Sequence, residues 1–168
     1  MSDKKLIYEI PSLIFLNSFC FLNKQLEESL HLMSGINQGE KIILDMIIPV
    51  RLSHSSLGGV RADPDDNLNK LVLMDDYGFA LYAVVHIHPS DGIPSTHQSH
   101  IDIRYQETLE RGGYKSVMGI FSRDGFLRFF RIENDFEIKI IGKGIEVIDE
   151  ESKIFKIAKI EDVQRLKY

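Results

Sequence analysis

Residues 79–89 run Phe-Ala-Leu-Tyr-Ala-Val-Val-His-Ile-His-Pro, an apolar stretch that ends in two histidines and a proline. The aromatic and β-branched residues of this stretch predict a short buried strand. Strand side chains alternate between faces, so His86 and His88 leave the same face, about 6–7 Å apart along the backbone. Two imidazole nitrogens placed in this way suit one metal ion. Pro89 cannot join a hydrogen-bonded ladder and ends the strand.

A third candidate ligand follows after a loop. Residues 90–98 are rich in turn-forming residues and predict an ordered loop. A helical pattern then begins at Ser99 and continues to about Arg111, where two glycines end it. Asp102 falls in the first turn, where the helix dipole favours a carboxylate. Two histidines, one aspartate and an open fourth position are typical of catalytic zinc. The alternative is that Ser99 and Asp102 only cap the helix.

The remaining pattern predicts an α+β fold, a mixed β-sheet flanked by helices, in a single domain over residues 1–168. The predicted strands cover 6–10, 28–35, 41–50, 79–88, 114–121, 126–132, 139–141 and 145–148. The predicted helices cover 12–25, 65–78, 99–111 and 160–168. We expect a turn at 36–40, a polar surface loop at 51–64 with His54 exposed, and a hairpin turn at 122–125, where Asp-Gly supplies a positive φ.

Composition limits the classes of partner and compartment. The net charge is −5 and no basic block is present, so a nucleic-acid or acidic-membrane partner is not favoured. Cys20 stands alone, which rules out an internal disulfide and a zinc ribbon. Neither a signal peptide nor a membrane-length apolar segment is recognisable, and we expect a cytoplasmic protein.

The histidine and aspartate segments together resemble a family signature. Residues 86–89 followed by 99–102 resemble the His-X-His-Pro…Ser-X-X-Asp signature of the JAMM (MPN-type) metalloproteases. That family also has a glutamate on an upstream strand, seven residues before a glycine, and Glu28 and Gly35 match this spacing. The order of predicted elements agrees over about residues 10–135. The resemblance is to the stand-alone prokaryotic type.

The resemblance implies an MPN/JAB-like fold and a set of roles. One zinc ion per chain would be held by His86, His88 and Asp102. Glu28 would act as general base toward the attacking water, and Ser99 would stabilise the tetrahedral oxyanion. Zinc activates water and polarises a carbonyl, a carboxylate can carry the proton to the leaving amine, and a hydroxyl can donate to the oxyanion.

The sequence departs from the family pattern at several positions. The loop before Ser99 is longer than usual, and a register through Ser95 would place Gln98, a poor zinc ligand, at the aspartate position. We therefore predict the Ser99/Asp102 register. Ile87 stands where the family commonly has Ser or Thr, and His31 replaces an expected glycine.

The glutamate has a rival in Glu27, which would lie on the opposite face of the same strand, so that only one of the two can face the zinc. His97 and His100 flank the proposed site. We assign no role to either, and we expect His100 to be exposed on its helix.

The implied function is a zinc-dependent peptidase or isopeptidase that cleaves after the C-terminal tail of a ubiquitin-like protein, from a conjugate or from a precursor. The tail would add to a sheet edge beside the site. One alternative is a non-catalytic MPN-type scaffold, and another is an unrelated two-metal phosphoesterase. Metal stoichiometry separates them, since the peptidase needs one zinc, the phosphoesterase two metals and the scaffold none.

Overall fold

A curled mixed sheet forms the framework of the molecule. The computed structural model describes residues 5–24, 26–133 and 135–164. Its strands are β1 Leu6–Pro11, β2 Ser29–Gln38, β3 Lys41–Pro49, β4 Leu52–Ser56, β5 Gly59–Ala62, β6 Ala83–Ile87, β7 Val117–Phe121, β8 Phe126–Phe130, β9 Phe136–Ile141, β10 Ile145–Asp149 and β11 Ile154–Ile157. Its helices are α1 Ser12–Leu22, α2 Pro64–Asp76, α3 His100–Arg111 and α4 Ile160–Gln164, with a 3-10 turn at Ile93–Thr96.

Nine strands lie side by side in the order β10-β11-β8-β7-β6-β2-β3-β1-β9, and β4 and β5 form a separate hairpin. Strand β1 runs parallel to β3 and β9, and β6 runs parallel to β7. The other pairs of the sheet are antiparallel. The predicted mixed sheet and α+β class are therefore confirmed.

The two edge strands, β9 and β10, are consecutive in the chain and are joined by residues 142–144 alone. A flat sheet of this width would separate them by about 38 Å, from a strand spacing of about 4.8 Å. The connection reaches at most about 15 Å, at 3.8 Å for each Cα step. The sheet must therefore curl until its edges approach, and it is barrel-like and nearly closed. The Nζ atom of Lys153, a residue just before β11, lies 4.7 Å from the centroid of the Phe136 ring at the start of β9.

The helices cover both faces of this sheet. On one face α1 packs Phe15 and Phe19 edge-on against Phe121, with ring centroids 5.4 and 5.3 Å apart. On the other face α2 and α3 contribute to a second apolar cluster that consists of Leu32, Met74, Leu81, Val84 and Leu109. Val84 belongs to this second cluster and Val85 to the first, so the residues of β6 alternate between the two faces. No helix of the described residues is long and apolar enough to cross a membrane.

Two predictions about loops are wrong. Residues 36–40 are not a turn, because β2 continues to Gln38 and the turn is confined to Gly39-Glu40. Gly35 does not end the strand: it lies at a bulge where a Cβ atom would be 1.8 Å from the Ile43 carbonyl oxygen, so its role is close backbone approach. Residues 51–64 are not a plain loop, because β4 and β5 form a hairpin there. His54 is exposed as predicted.

Other boundaries shift by a few residues, and one further strand, besides β4 and β5, was not predicted. Helix α1 ends at Leu22, β6 begins only at Ala83, and β7 begins at Val117. Strand β11 was not predicted from the sequence; it pairs with β8 and β10. The predicted C-terminal helix is present as α4, and residues 165–168 lie outside the described part of the chain.

Candidate metal centre

The two histidines converge at the end of β6. Val84 and His86 share one face of this strand, and His88 continues the alternation one residue past its end. The Nε2 atoms of His86 and His88 lie 3.1 Å apart. His86 is 5% exposed, so its ring is held by packing.

Helix α3 brings Asp102 to these nitrogens. Its Oδ1 lies 3.2 Å from Nε2 of His86, and its Oδ2 lies 3.7 Å from Nε2 of His88. Asp102 also completes a capping box: its Oδ2 accepts from the Ser99 backbone N–H at 2.7 Å, and Ser99 Oγ accepts from the Asp102 N–H at 3.2 Å. The capping interpretation and the ligand interpretation thus describe the same carboxylate, and they are compatible.

These three side chains form a group that can hold a metal ion. One ligand atom from each of His86, His88 and Asp102 lies within 4.8 Å of the others. Metal–ligand distances of 2.0–2.1 Å in a tetrahedron place neighbouring ligand atoms about 3.3 Å apart. The separation of 3.1 Å between the two Nε2 atoms and that of 3.2 Å between His86 Nε2 and Asp102 Oδ1 are close to this value, and the second carboxylate oxygen lies 3.7 Å from His88 Nε2.

A backbone carbonyl orients the second histidine. Nδ1 of His88 lies 2.7 Å from the Ser95 carbonyl oxygen, which can only accept a hydrogen bond, so Nδ1 carries the proton. In the neutral ring Nε2 then presents its lone pair toward His86 and Asp102. This pattern, in which one imidazole nitrogen donates to a carbonyl and the other faces the site, is that of metal-binding histidines.

The loop that carries Ser95 is held by hydrogen bonds to β8 and to the turn that precedes it. Its 3-10 turn ends at Thr96, whose Oγ1 accepts from Nε of Arg128 at 3.2 Å. Near its start, the N–H of Gly92 donates to Oδ1 of Asp124 at 2.8 Å. The prediction of an ordered loop over residues 90–98 is confirmed.

Glu28, not Glu27, faces the histidines. Leu30 pairs with His86 on the neighbouring antiparallel strand, and Glu28 lies two residues earlier, on the same face. Glu28 is 8% exposed and lines the same groove as His86, whereas Glu27 is exposed. Its backbone N–H donates to the Ser56 carbonyl at 3.0 Å, so the β4–β5 hairpin helps to hold it.

The surroundings of Glu28 and Asp102 shift the pKa values of their carboxyl groups in opposite directions. Burial raises the pKa of Glu28, the nearby Asp102 charge raises it further, and His86 and Arg123 oppose this rise. Burial would also raise the pKa of Asp102, but hydrogen bonds from His86 and Ser99, with the charge of His86, hold it at about 2. Burial and the proximity of His86 lower the pKa of His88. Asp102 is therefore a permanent anion, while Glu28 is the carboxyl group more disposed to accept a proton.

A groove of about 920 Å³ contains the site. One wall is the β4–β5 hairpin, residues 58–62, and the other is the start of α3. Apolar side chains on its floor are Leu30, Val84 and Met118. Ser99 lines the groove, whereas His97 and His100 are exposed and do not line it.

Three features of this site were not predicted from the sequence. They are the hairpin wall, the Ser95 carbonyl, and the contacts of the β7–β8 turn, residues 122–125. The Gly58-Gly59 pair between two short polar segments was an available hairpin signal. A backbone carbonyl leaves no trace in the residue pattern.

Comparison with known proteins adds the fold alone. No family model and no curated protein matches the chain. The chain is similar to the solution structure of protein DSY2949 from Desulfitobacterium hafniense, a structural genomics target, with a TM-score of 0.58 and 16% identity. The similarity covers 81% of this chain and 92% of that one.

Proposed function

We propose that the protein is a zinc-dependent peptidase or isopeptidase of the JAMM (MPN-type) kind, with a sheet of MPN/JAB type. The observation that carries the proposal is the convergence of His86, His88 and Asp102 beside a buried Glu28 in one groove. Two imidazoles and one carboxylate are the donors of a catalytic zinc site, and the distances from His86 Nε2 to the His88 and Asp102 ligand atoms suit tetrahedral coordination. A bound zinc ion would supply Lewis acidity for a carbonyl and a water molecule.

Glu28 is suited to move the proton. Its carboxylate lies in the groove with a raised pKa, so it can accept a proton from the attacking water and return it to the leaving amine. Ser99 is suited to stabilise negative charge on the former carbonyl oxygen. Its Oγ lone pair accepts from the Asp102 N–H, which leaves the hydroxyl proton free to donate toward the groove.

The shape of the groove supports an extended, small-residue substrate. Among the described strands β5 pairs with β4 alone, and residues of β5 line the groove. An extended peptide that enters here can hydrogen-bond to the free edge of β5, which is strand addition. Gly59 and Ala62 project little side chain from this wall. These features favour the C-terminal tail of a ubiquitin-like protein, either in a conjugate or in a precursor.

The test combines metal content with cleavage. We expect one zinc per wild-type chain, loss of zinc in His88→Ala and Asp102→Ala, and retention of zinc in the exposed control His97→Ala. Glu28→Gln should keep its zinc and lose about 10²–10⁴-fold in cleavage of a ubiquitin-like protein carrying a C-terminal extension.

Other results would contradict the proposal in distinct ways. Zinc retained by Asp102→Ala would mean that this aspartate is not a ligand. Two metals per chain would indicate a phosphoesterase. No metal in the wild type would indicate a scaffold.

A further inference from the structure

The β7–β8 turn reaches the backbone just before Glu28. Nη2 of Arg123 donates at 2.7 Å to the carbonyl oxygens of both Leu26 and Glu27. Nη1 of the same guanidinium donates to Oδ1 of Asn23 at 3.0 Å. One planar cation thus joins the end of α1 to the segment that enters β2.

The same turn also holds the opposite side of the site. The backbone N–H of Arg123 donates to the Ser90 carbonyl at 3.0 Å. Oδ1 of Asp124 accepts from the Gly92 N–H at 2.8 Å and from Ser122 Oγ at 2.6 Å. These contacts fix the start of the loop whose Ser95 carbonyl orients His88.

We propose that the β7–β8 turn is the positioning element that sets Glu28 against His88, with Arg123 and Asp124 as its two positioning residues. The inference rests on the proposed function for the roles of Glu28 and His88. Neither Arg123 nor Asp124 lines the groove, so each acts through another residue. A turn between two paired strands is a rigid base from which both contacts are made.

Arg123 is needed because Glu28 stands outside the sheet ladder. Strand β2 begins at Ser29, so Glu28 is held by the β4–β5 hairpin, where Ser55 Oγ donates to its carbonyl and its own N–H donates to the Ser56 carbonyl. The two carbonyls that precede Glu28 are in turn held by Arg123. Hydrogen bonds from a guanidinium are charge-assisted, and its rigid fork restricts the direction of both carbonyls. Without them the carboxylate can leave the position from which it transfers a proton, and displacements of about 1 Å at an active site cost about 100-fold in rate.

The first experiment compares Arg123→Ala, Arg123→Lys and the surface control Arg111→Ala, whose partner Glu107 lies on the same helix. We expect Arg123→Ala to keep its zinc and its KM and to lose about 10- to 100-fold in kcat. Arg123→Lys should recover part of the loss, since an ammonium group can still donate to these carbonyls. A kcat for Arg123→Ala within twofold of wild type, or a fall in zinc content to match its fall in kcat, would overturn the role of Arg123.

The second experiment needs no turnover. Hydrogen exchange of the Glu28 amide, which donates to the Ser56 carbonyl, reports how firmly this segment is held. In zinc-free protein Arg123→Ala should accelerate this exchange about tenfold or more, while Arg111→Ala leaves it unchanged. If the wild-type protein binds zinc but does not cleave the tail of a ubiquitin-like protein, the proposed substrate is wrong. The exchange measurement does not depend on cleavage, so it still tests the positioning role of Arg123. Unchanged exchange at Glu28 would overturn it.

Substitutions of Arg123 are expected to change kcat, whereas substitutions of Asp124 are expected to change the affinity for zinc. Asp124→Ala should weaken zinc binding about 10- to 100-fold, because it releases the loop that orients His88. Asp124→Asn keeps an oxygen acceptor for the Gly92 N–H and should bind zinc nearly as wild type does. Equal zinc affinity in Asp124→Ala and wild type would show that the loop does not depend on this turn.

Discussion

Oδ1 of Asp102 lies 3.2 Å from Nε2 of His86, while the other oxygen of the same carboxylate accepts the Ser99 N–H at 2.7 Å. One side chain therefore joins the start of α3 to the end of β6. The cap fixes the direction of the carboxylate, and this direction is what the metal centre requires. Stability and metal binding can be separated at this residue.

Asp102→Asn should separate the two roles. The amide oxygen can still accept the Ser99 N–H, so we expect the free energy of unfolding to change little. Loss of the anionic ligand should weaken zinc binding by more than about 100-fold, beyond the range seen for outer-sphere partners. Metal titration alongside urea denaturation measures both. Asp102→Ala should lose zinc binding and, in addition, about 1 kcal/mol of stability. Exposed Asp76→Asn is the matched control, and equal zinc affinity in the two Asn variants would refute the assignment.

Two substitutions of Ser99 should have equal effects on rate but unequal effects on stability. Glycine is nearly as good a cap as serine, so Ser99→Gly should lower the free energy of unfolding by only about 0.3 kcal/mol. Ser99→Ala should lower it by about 1 kcal/mol. Both lack the hydroxyl group and should lose about 10²–10³-fold in kcat. Thermal denaturation and steady-state kinetics give the two values. A rate loss that follows stability instead would mean that Ser99 is only a cap.

The buried His31 should make folding sensitive to acid. Its ring lies inside the core with Nε2 2.6 Å from Ser18 Oγ and Nδ1 3.1 Å from the Leu32 carbonyl, and burial lowers its pKa to about 4. In the unfolded chain the His31 ring takes up a proton near pH 6.5, whereas in the folded protein it does so only near pH 4. The stabilisation that comes from the neutral ring is therefore fully present above pH 6.5 and is lost as the pH falls toward 4. The loss reaches about 3 kcal/mol at pH 4.

Urea denaturation at pH 7 and pH 4 measures this loss, and His31→Gln isolates it from the titration of other groups. The variant keeps a polar group for Ser18 but cannot take up the proton. We expect wild type to lose about 3 kcal/mol more than the variant between the two pH values. Parallel pH profiles would show that His31 contributes nothing to the acid sensitivity.

Gly35→Ala tests the bulge in β2. The new Cβ would lie 1.8 Å from the Ile43 carbonyl oxygen and 2.8 Å from the Ile43 carbonyl carbon, and both atoms are backbone. The strands must separate to admit it, and we expect a loss of about 3 kcal/mol. Gly58→Ala is the control, since nothing lies within 4 Å of its added Cβ. If both variants unfold at the same denaturant concentration, the close approach at Gly35 is not essential.

The part of the site that could be predicted is local in sequence. His86 and His88 are related by strand periodicity, and Asp102 by its place in a helix start, so a few neighbouring residues carry the pattern. The choice between Glu27 and Glu28 depended on how β2 pairs with β6, which only the folded sheet determines. Glu28 was preferred through its spacing to a glycine, although that glycine does not end the strand as expected.

The features that were missed depend on distant contacts. The guanidinium of Arg123 bonds to carbonyls 96 and 97 positions away, and no periodicity relates such residues. The β4–β5 hairpin was hidden because its residues are mostly polar and only partly buried, so the apolar alternation that predicts strands is weak there. The curl of the sheet was hidden too, since it follows from strand order.

The pairing of β1 with β9 has a kinetic consequence. Strand β1 pairs with β9, so Leu6 and Phe136 must meet although they lie 130 positions apart in the sequence. Such high contact order slows folding, because loop-closure entropy is lost before the contact forms. During synthesis β1 can pair with β3 early, but it can pair with β9 only after residues 136–141 have emerged. Until then the outer edge of β1 is an open template for pairing with other chains, and this interval is when nascent chains are most exposed to aggregation.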